Sequence, residues 1–221
     1  MKKVIVMLAV GLLAVPAMAD YYAVGSFNGW DNPGSLVMSE VSPGHYQVTI
    51  TGALGVQEFK VTDGTWDNAW PGQNAKADFG AGEIDINFYP GAHADGWNPA
   101  ENRVGWEDLE LHGWDIMGSF NDWSSPVATM TGGGGMYTAQ YTVATAGTYY
   151  FKFRKEGDWN IAIGQDFSNY DYNIELVVAN DNEIIQFDLD IPAGRWRTFV
   201  IPEPATLALL GLGAVALIRR R

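Results

Sequence analysis

The chain has 221 residues, is 47% hydrophobic and 18% charged, and carries 26 acidic residues against 13 basic ones, a formal net charge of −13. Such a field repels phosphate backbones and anionic membrane surfaces, which excludes nucleic acid as an expected partner. There is no cysteine, so neither a disulfide framework nor a thiolate metal site is available, and the fold must rest on packed apolar cores.

The N-terminus begins with Lys2 and Lys3, continues as an apolar run over residues 4–15 broken only by Gly11, and reaches Ala17-Met18-Ala19. A basic segment, a short apolar segment and small residues at a cleavage position describe a secretory signal peptide, with cleavage expected after Ala19. The run is too short for a membrane span, which needs roughly 20 residues. Residues 1–19 are therefore excluded from the fold, and the rest of the chain is expected outside the cytoplasm.

Beyond Ala19 the sequence is duplicated. Gly25-Ser26-Phe27-Asn28-Gly29-Trp30 recurs as Gly118-Ser119-Phe120-Asn121-Asp122-Trp123, an offset of 93. Met38 pairs with Met130, Tyr46 with Tyr137, Phe59-Lys60 with Phe151-Lys152, and Trp66 with Trp159, at offsets between 91 and 93. That period suits a small domain rather than a solenoid unit. The first copy is read as residues 20–89, a linker as 90–113, and the second copy as 114–197.

Both copies read as strands. Tyr46, Val48 and Ile50 alternate with Gln47, Thr49 and Thr51, and Tyr137, Ala139, Tyr141 and Val143 alternate with Thr138, Gln140 and Thr142. This is the period of a half-buried strand. Tyr149, Phe151 and Phe153 share one face, with Tyr150, Lys152 and Arg154 on the other. Ser42-Pro43-Gly44, Gly132 to Gly135 and Ala146-Gly147 punctuate the runs as turns. Several short strands in each copy, without a sustained helical period, predict an all-β chain of two tandem immunoglobulin-like β-sandwich domains.

The repeated set also resembles a known module. Gly-Ser-Phe-Asn-x-Trp, an aromatic-Lys-apolar strand and a Gly-x-Trp hairpin are similar to the glycogen-binding module of the AMP-activated kinase β subunit. The same early-set domain occurs in amylolytic enzymes such as glycogen-branching enzyme and isoamylase. The resemblance implies a carbohydrate site of two tryptophans, a lysine and an asparagine. In the second copy these are Trp123, Lys152, Trp159 and Asn182; in the first they are Trp30, Lys60 and Trp66, with no matching asparagine in Gly82-Glu83-Ile84-Asp85. The chemistry is sound, since an indole covers the apolar face of a pyranose while Lys and Asn bond its hydroxyls. Strand alternation places Lys60 and Lys152 opposite buried neighbours and thus toward solvent. Phe27 and Phe120 are expected in the core. The other tryptophans, among them Trp70, Trp97, Trp106, Trp114 and Trp196, are expected at an inter-domain seam or on a wider binding face. Tryptophan in a small sandwich also packs without any ligand, so a spacer or matrix role stands as the alternative, and an accessory subunit of a separate glycoside hydrolase as a third.

No catalytic constellation is present. His45, His93 and His112 are scattered, the spacing matches no zinc or EF-hand loop, and pairs such as Asp188 and Asp190 carry little information in so acidic a chain. Gly132 to Gly135 lacks the Lys-Ser/Thr of a phosphate loop. The expectation is a non-enzymatic protein without metal or cofactor.

The chain closes with Ile201-Pro202-Glu203-Pro204-Ala205-Thr206, an apolar stretch over 207–218, and Arg219-Arg220-Arg221. This order resembles the PEP-CTERM sorting signal, in which a Pro-Glu-Pro motif, a short membrane helix and a basic cluster are read by an exosortase-type transpeptidase. Residues 201–221 are therefore expected to form a sorting tail with a short hydrophobic helix. The tail touches the membrane before processing, and the arginines hold its end on the cytoplasmic side. The implied location is the cell surface or extracellular matrix, with retention of the tail as an ordinary C-terminal membrane anchor as the alternative.

Overall fold

The computed structural model describes residues 20–53, 55–80, 82–107, 113–169 and 172–202. The signal peptide read at 1–19 and the hydrophobic helix read at 207–218 lie outside the described residues. Among those described, no helix is long and apolar enough to cross a membrane.

The fold is all-β and antiparallel, as the alternation predicts. In the first repeat β1 (Tyr22–Gly25), β4 (Val56–Thr62) and β5 (Ala69–Asp78) form one sheet in the order β1-β4-β5. A second sheet joins β2 (Ser39–Ser42), β3 (His45–Thr51), β6 (Glu83–Ala92) and β7 (Glu101–Trp106) in the order β2-β3-β6-β7. The second repeat copies this plan. Its first sheet has β8 (Trp114–Gly118) between β9 (Ala128–Thr129) and β12 (Gly147–Lys155), with β13 (Asp158–Ile163) and β14 (Ile174–Val178) on the far side of β12. Its second sheet runs β10 (Thr131–Gly133), β11 (Met136–Val143), β15 (Glu183–Asp190) and β16 (Arg195–Ile201).

Aromatic rings join the two sheets of each repeat. Trp70 stacks on Phe88 at 5.1 Å between centroids, and Phe59 meets Trp106 edge-on at 5.7 Å. In the second repeat Phe151 meets Phe187 at 5.1 Å and Trp196 at 6.3 Å. Phe59, Phe88, Phe151 and Phe187 are fully buried, each worth about 1.5–3 kcal/mol of transfer free energy. Phe27 and Phe120 pack half-buried against this core.

The stretch 90–113, read as a linker, contributes a strand. β7 pairs with β6 through Ile86↔Trp106 and Tyr89↔Arg103, taking the place beside β6 that β16 takes beside β15. It escapes a period-2 reading because Arg103, Val104, Gly105 and Trp106 are all buried. One side faces its own core; the other meets the second repeat.

That meeting is a packed seam. Trp106 contacts Phe167 at 5.5 Å, and its backbone amide donates to the Ile191 carbonyl at 3.2 Å. Asn98 and Trp196 exchange backbone hydrogen bonds of 2.8 and 2.7 Å, and Asn169 N–H donates to the Asn74 carbonyl at 3.0 Å. Lys155 pairs with Asp78 at 3.0 Å. Phe167 and Asn169 sit in an insertion: β5 pairs continuously with β4 across a bulge, whereas the equivalent edge of β12 is divided between β13 and β14, with residues 164–169 following β13.

Candidate functional site

Most of the repeated Gly-Ser-Phe-Asn-x-Trp motif has a structural job. A Cβ on Gly25 would lie 2.5 Å from the Glu58 carbonyl oxygen and 2.7 Å from the Phe27 ring, and one on Gly118 2.7 Å from the Tyr150 carbonyl oxygen. Only glycine permits that approach. Asn28 Oδ1 accepts the Gly25 amide at 2.9 Å, closing the turn, and Phe27 stacks on Phe79 at 5.7 Å. In the second copy Phe120 stacks on Tyr149 at 4.8 Å. The turn ends when the Trp30 amide donates to the Gly25 carbonyl at 2.9 Å, and the Trp123 amide to Gly118 at 3.0 Å.

The tryptophans are held in an unfavourable conformation. Trp30 has φ 64 and Trp123 φ 61, each preceded by another left-handed residue, Gly29 at 65 and Asp122 at 56. A bulky residue in this region is an outlier costing about 1–3 kcal/mol, of the kind that gathers at functional sites. The same strain appears in both copies.

The consequence is a pair of indoles in each repeat. Trp30 and Trp66 lie 6.4 Å apart between centroids at 45°, and Trp123 and Trp159 6.1 Å apart at 50°. The first member of each pair is half-buried. The second is open, Trp66 at 53% and Trp159 at 48% exposure. Each pair presents one bent aromatic surface to solvent.

The lysines do not stand beside it in solvent, as alternation alone suggests. Lys60 Nζ donates to the carbonyls of Pro71 and Gly72 at 2.7 and 2.6 Å. The bulge in β5 turns those two carbonyls toward it. Burial pushes its ammonium below the ordinary lysine range, opposed by the Asp166 carboxylate of the second repeat. Lys152 is only 8% exposed. It lies where β13 gives way to β14, between the pairs Phe153↔Ile163 and Phe151↔Ile174. The alternation is correct, since Phe59, Val61, Phe151 and Phe153 all face the core. What it cannot anticipate is cover on the second face.

A different cation meets the second pair. The Arg154 guanidinium lies 4.9 Å from the Trp159 ring centroid and grips Asp115 through two hydrogen bonds, Nε to Oδ1 at 2.9 Å and Nη2 to Oδ2 at 2.5 Å. Sequence reasoning passed over this pair. Its signal was Asp115, an acid inside the otherwise apolar run Trp114–Gly118, which register places directly opposite Arg154. The first repeat has Thr62 in the corresponding position, whose hydroxyl donates to Asn32 Oδ1 at 2.7 Å.

Asn182 lies at the entrance to the other sheet of its repeat. It takes φ 62 in the turn entering β15, and it lines a shallow cavity with Asn180, Asp181, Glu183 and Pro202. Of the sorting residues Pro202, Glu203 and Pro204, only exposed Pro202 lies among the described residues, directly after β16.

No curated protein matches the chain. Among solved structures, a pullulanase from Bacillus acidopullulyticus is similar at 12% identity and a TM-score of 0.30, over 81% of this chain. The chain spans 28% of that enzyme's length. Residues 200–221 match the PEP-CTERM protein-sorting motif, which marks the protein for export, exosortase processing and sorting to the cell surface.

Proposed function

We propose that the protein is a non-catalytic, surface-sorted polysaccharide-binding protein whose two repeats are immunoglobulin-like β-sandwiches. Each presents a tryptophan pair to the sugar faces of a neutral α-glucan or exopolysaccharide. The observation that carries this reading is the duplication of geometry, not only of sequence: two indole pairs, at 6.4 and 6.1 Å, with an open outer ring in each. The Gly and Phe of the motif pack its turn, whereas the strained, half-buried tryptophan that ends it meets an open second indole in both copies. In the second copy Arg154, pinned by Asp115, supports the outer ring from beneath. By analogy with bases on aromatic platforms, each stacked sugar ring contributes about 1–3 kcal/mol. The signal peptide at 1–19 and the tail at 201–221 deliver the folded part to the surface.

A spacer or matrix role is the second reading. The packed seam around Trp106 and Phe167 favours it, because it joins the repeats into a stiff unit without needing a ligand.

The test is native affinity electrophoresis of the full chain, kept soluble with a sugar-free zwitterionic detergent, in gels containing glycogen, amylopectin or mixed-linkage β-glucan. Retardation by a polysaccharide that weakens in Trp123→Ala/Trp159→Ala, and weakens further when Trp30 and Trp66 are also replaced, is the expected result. Mobility unchanged in every gel would sink the binding function and leave the spacer.

A further inference from the structure

The outer face of the β10-β11-β15-β16 sheet is separate from the indole pairs, and its register forms a grid. Thr138 lies across from Asp188, and Asp188 across from Arg197; Gln140 lies across from Gln186, and Gln186 across from Phe199. These side chains are tied to one another. Arg197 Nε donates to Asp188 Oδ2 at 2.7 Å, while Thr138 Oγ1 and Gln186 Nε2 donate to Asp188 Oδ1 at 2.9 and 2.8 Å. Gln140 Nε2 donates to Gln186 Oε1 at 3.1 Å. One row further, Arg195 Nη2 meets Asp190 Oδ2 at 2.8 Å. On this grid each carboxylate is matched by a guanidinium, so the face is locally neutral on a chain of net charge −13.

The first repeat supplies a wall to it. Trp97, from the loop between β6 and β7, stands over the face with the Arg195 and Arg197 guanidinium carbons 4.6 and 4.3 Å from its ring centroid. Arg197 also lies 5.2 Å from the ring of exposed Phe199. Trp97, exposed Met136, Thr138, Asp188 and Arg197 line an open cleft of about 300 Å³.

We infer that this cleft is a second binding site for an uncharged polysaccharide, built between the repeats and independent of the indole pairs. A sugar hydroxyl both donates and accepts, and the cleft offers the Arg197 guanidinium and the Thr138 hydroxyl beside the Asp188 carboxylate, with the Gln186 amide holding Asp188 from the adjoining row. The mutual hydrogen bonds hold these groups in place before the ligand arrives, which lowers the entropy lost on binding. Trp97 supplies an aromatic edge for a pyranose face. An anionic glycan would meet the repulsive field of the whole chain without finding an unpaired cation on this face. A protein partner is disfavoured by the density of charged side chains at the centre of the patch, the reverse of an interface core.

The experiment uses the full chain in sugar-free detergent with all four platform residues replaced (Trp30→Ala, Trp66→Ala, Trp123→Ala, Trp159→Ala). It is titrated with amylopectin, mixed-linkage β-glucan and galactomannan, and with alginate as a polyanionic control. The expected result is that at least one neutral polymer still binds, that Trp97→Ala or Gln186→Ala weakens it tenfold or more, and that Trp97→Phe largely restores it. Circular dichroism checks that each variant is folded. Loss of all binding in the platform variant while the parent binds would overturn this site and leave the indole pairs standing. Binding that ignores both Trp97→Ala and Gln186→Ala, a preference for alginate, or no binding by the parent would overturn it as well. Binding undiminished by the platform replacements but abolished by Trp97→Ala would keep this site and remove the indole pairs.

Discussion

Arg154 is held between two residues of opposite character: its guanidinium covers the open Trp159 ring at 4.9 Å while its nitrogens bind the Asp115 carboxylate at 2.9 and 2.5 Å. A buried ion pair thereby becomes the floor of an exposed aromatic surface. The arrangement ties the stability of the second repeat to the orientation of its outer tryptophan.

Removing the cation alone is therefore expected to be costly. The Asp115 side chain is 1% exposed, and Arg154→Ala leaves it as an unpaired buried charge, with a loss of about 3–5 kcal/mol. Asp115→Asn combined with Arg154→Met removes both charges and should lose much less. Chemical denaturation of the two variants makes the comparison; equal losses would mean that the pair is not coupled.

The strained tryptophans predict an unusual ranking of substitutions. At Trp123, with φ 61, glycine adopts the backbone freely and alanine does not. Trp123→Gly is expected to be more stable than Trp123→Ala by about 1 kcal/mol, the reverse of their order in a strand. Trp30 should behave alike. Thermal unfolding of the four single variants tests this, and polysaccharide binding should suffer equally in either member of a pair.

Acid should weaken the fold from a recognisable set of carboxylates. Hydrogen bonds from Arg103 hold Asp95 well below the ordinary aspartate range. For Asp188, burial pushes upward, but hydrogen bonds from Arg197, Gln186 and Thr138 prevail and the net direction is down. A carboxyl depressed in the folded state contributes stability that is present above its unfolded value near pH 4 and is lost as pH falls toward the folded one. The melting temperature should thus fall on acidification from about pH 5. Asp95→Asn should lie below the parent at pH 7 and converge with it at the acid end. Parallel curves for the two proteins across the range would assign the acid sensitivity elsewhere.

The seam should depend on a glycine more than on its salt bridge. A Cβ on Gly105 would collide with the carbonyl oxygens of Ile191 and Pro192 in the second repeat. Gly105→Ala is expected to cost about 1–3 kcal/mol. Lys155→Met removes the half-buried pair with Asp78 but displaces no backbone, and should cost less, about 1 kcal/mol. Urea midpoints for the two variants give the ranking, and the reverse order would place the strength of the seam in its charges.

The amino-acid sequence by itself determined the duplication, the all-β character, the inward faces of β4, β11 and β12, and the sorting motif. Each depends on residues adjacent in the chain, where spacing and period-2 alternation act locally. The pairing of Trp30 with Trp66 and of Trp123 with Trp159 was legible at one remove, through repeated landmarks. Only the tertiary structure decided what covers the outer faces. The β5 bulge takes Lys60 for its own carbonyls. The β13–β14 division leaves Lys152 buried, and Arg154 rather than either lysine meets a tryptophan. β7 was hidden for the same reason, because the second repeat buries the face that alternation assigns to solvent. Trp97 shows it most plainly: its partners Arg195 and Arg197 lie about a hundred residues away, and a contact at that separation is set by how two sheets dock, which no local pattern encodes.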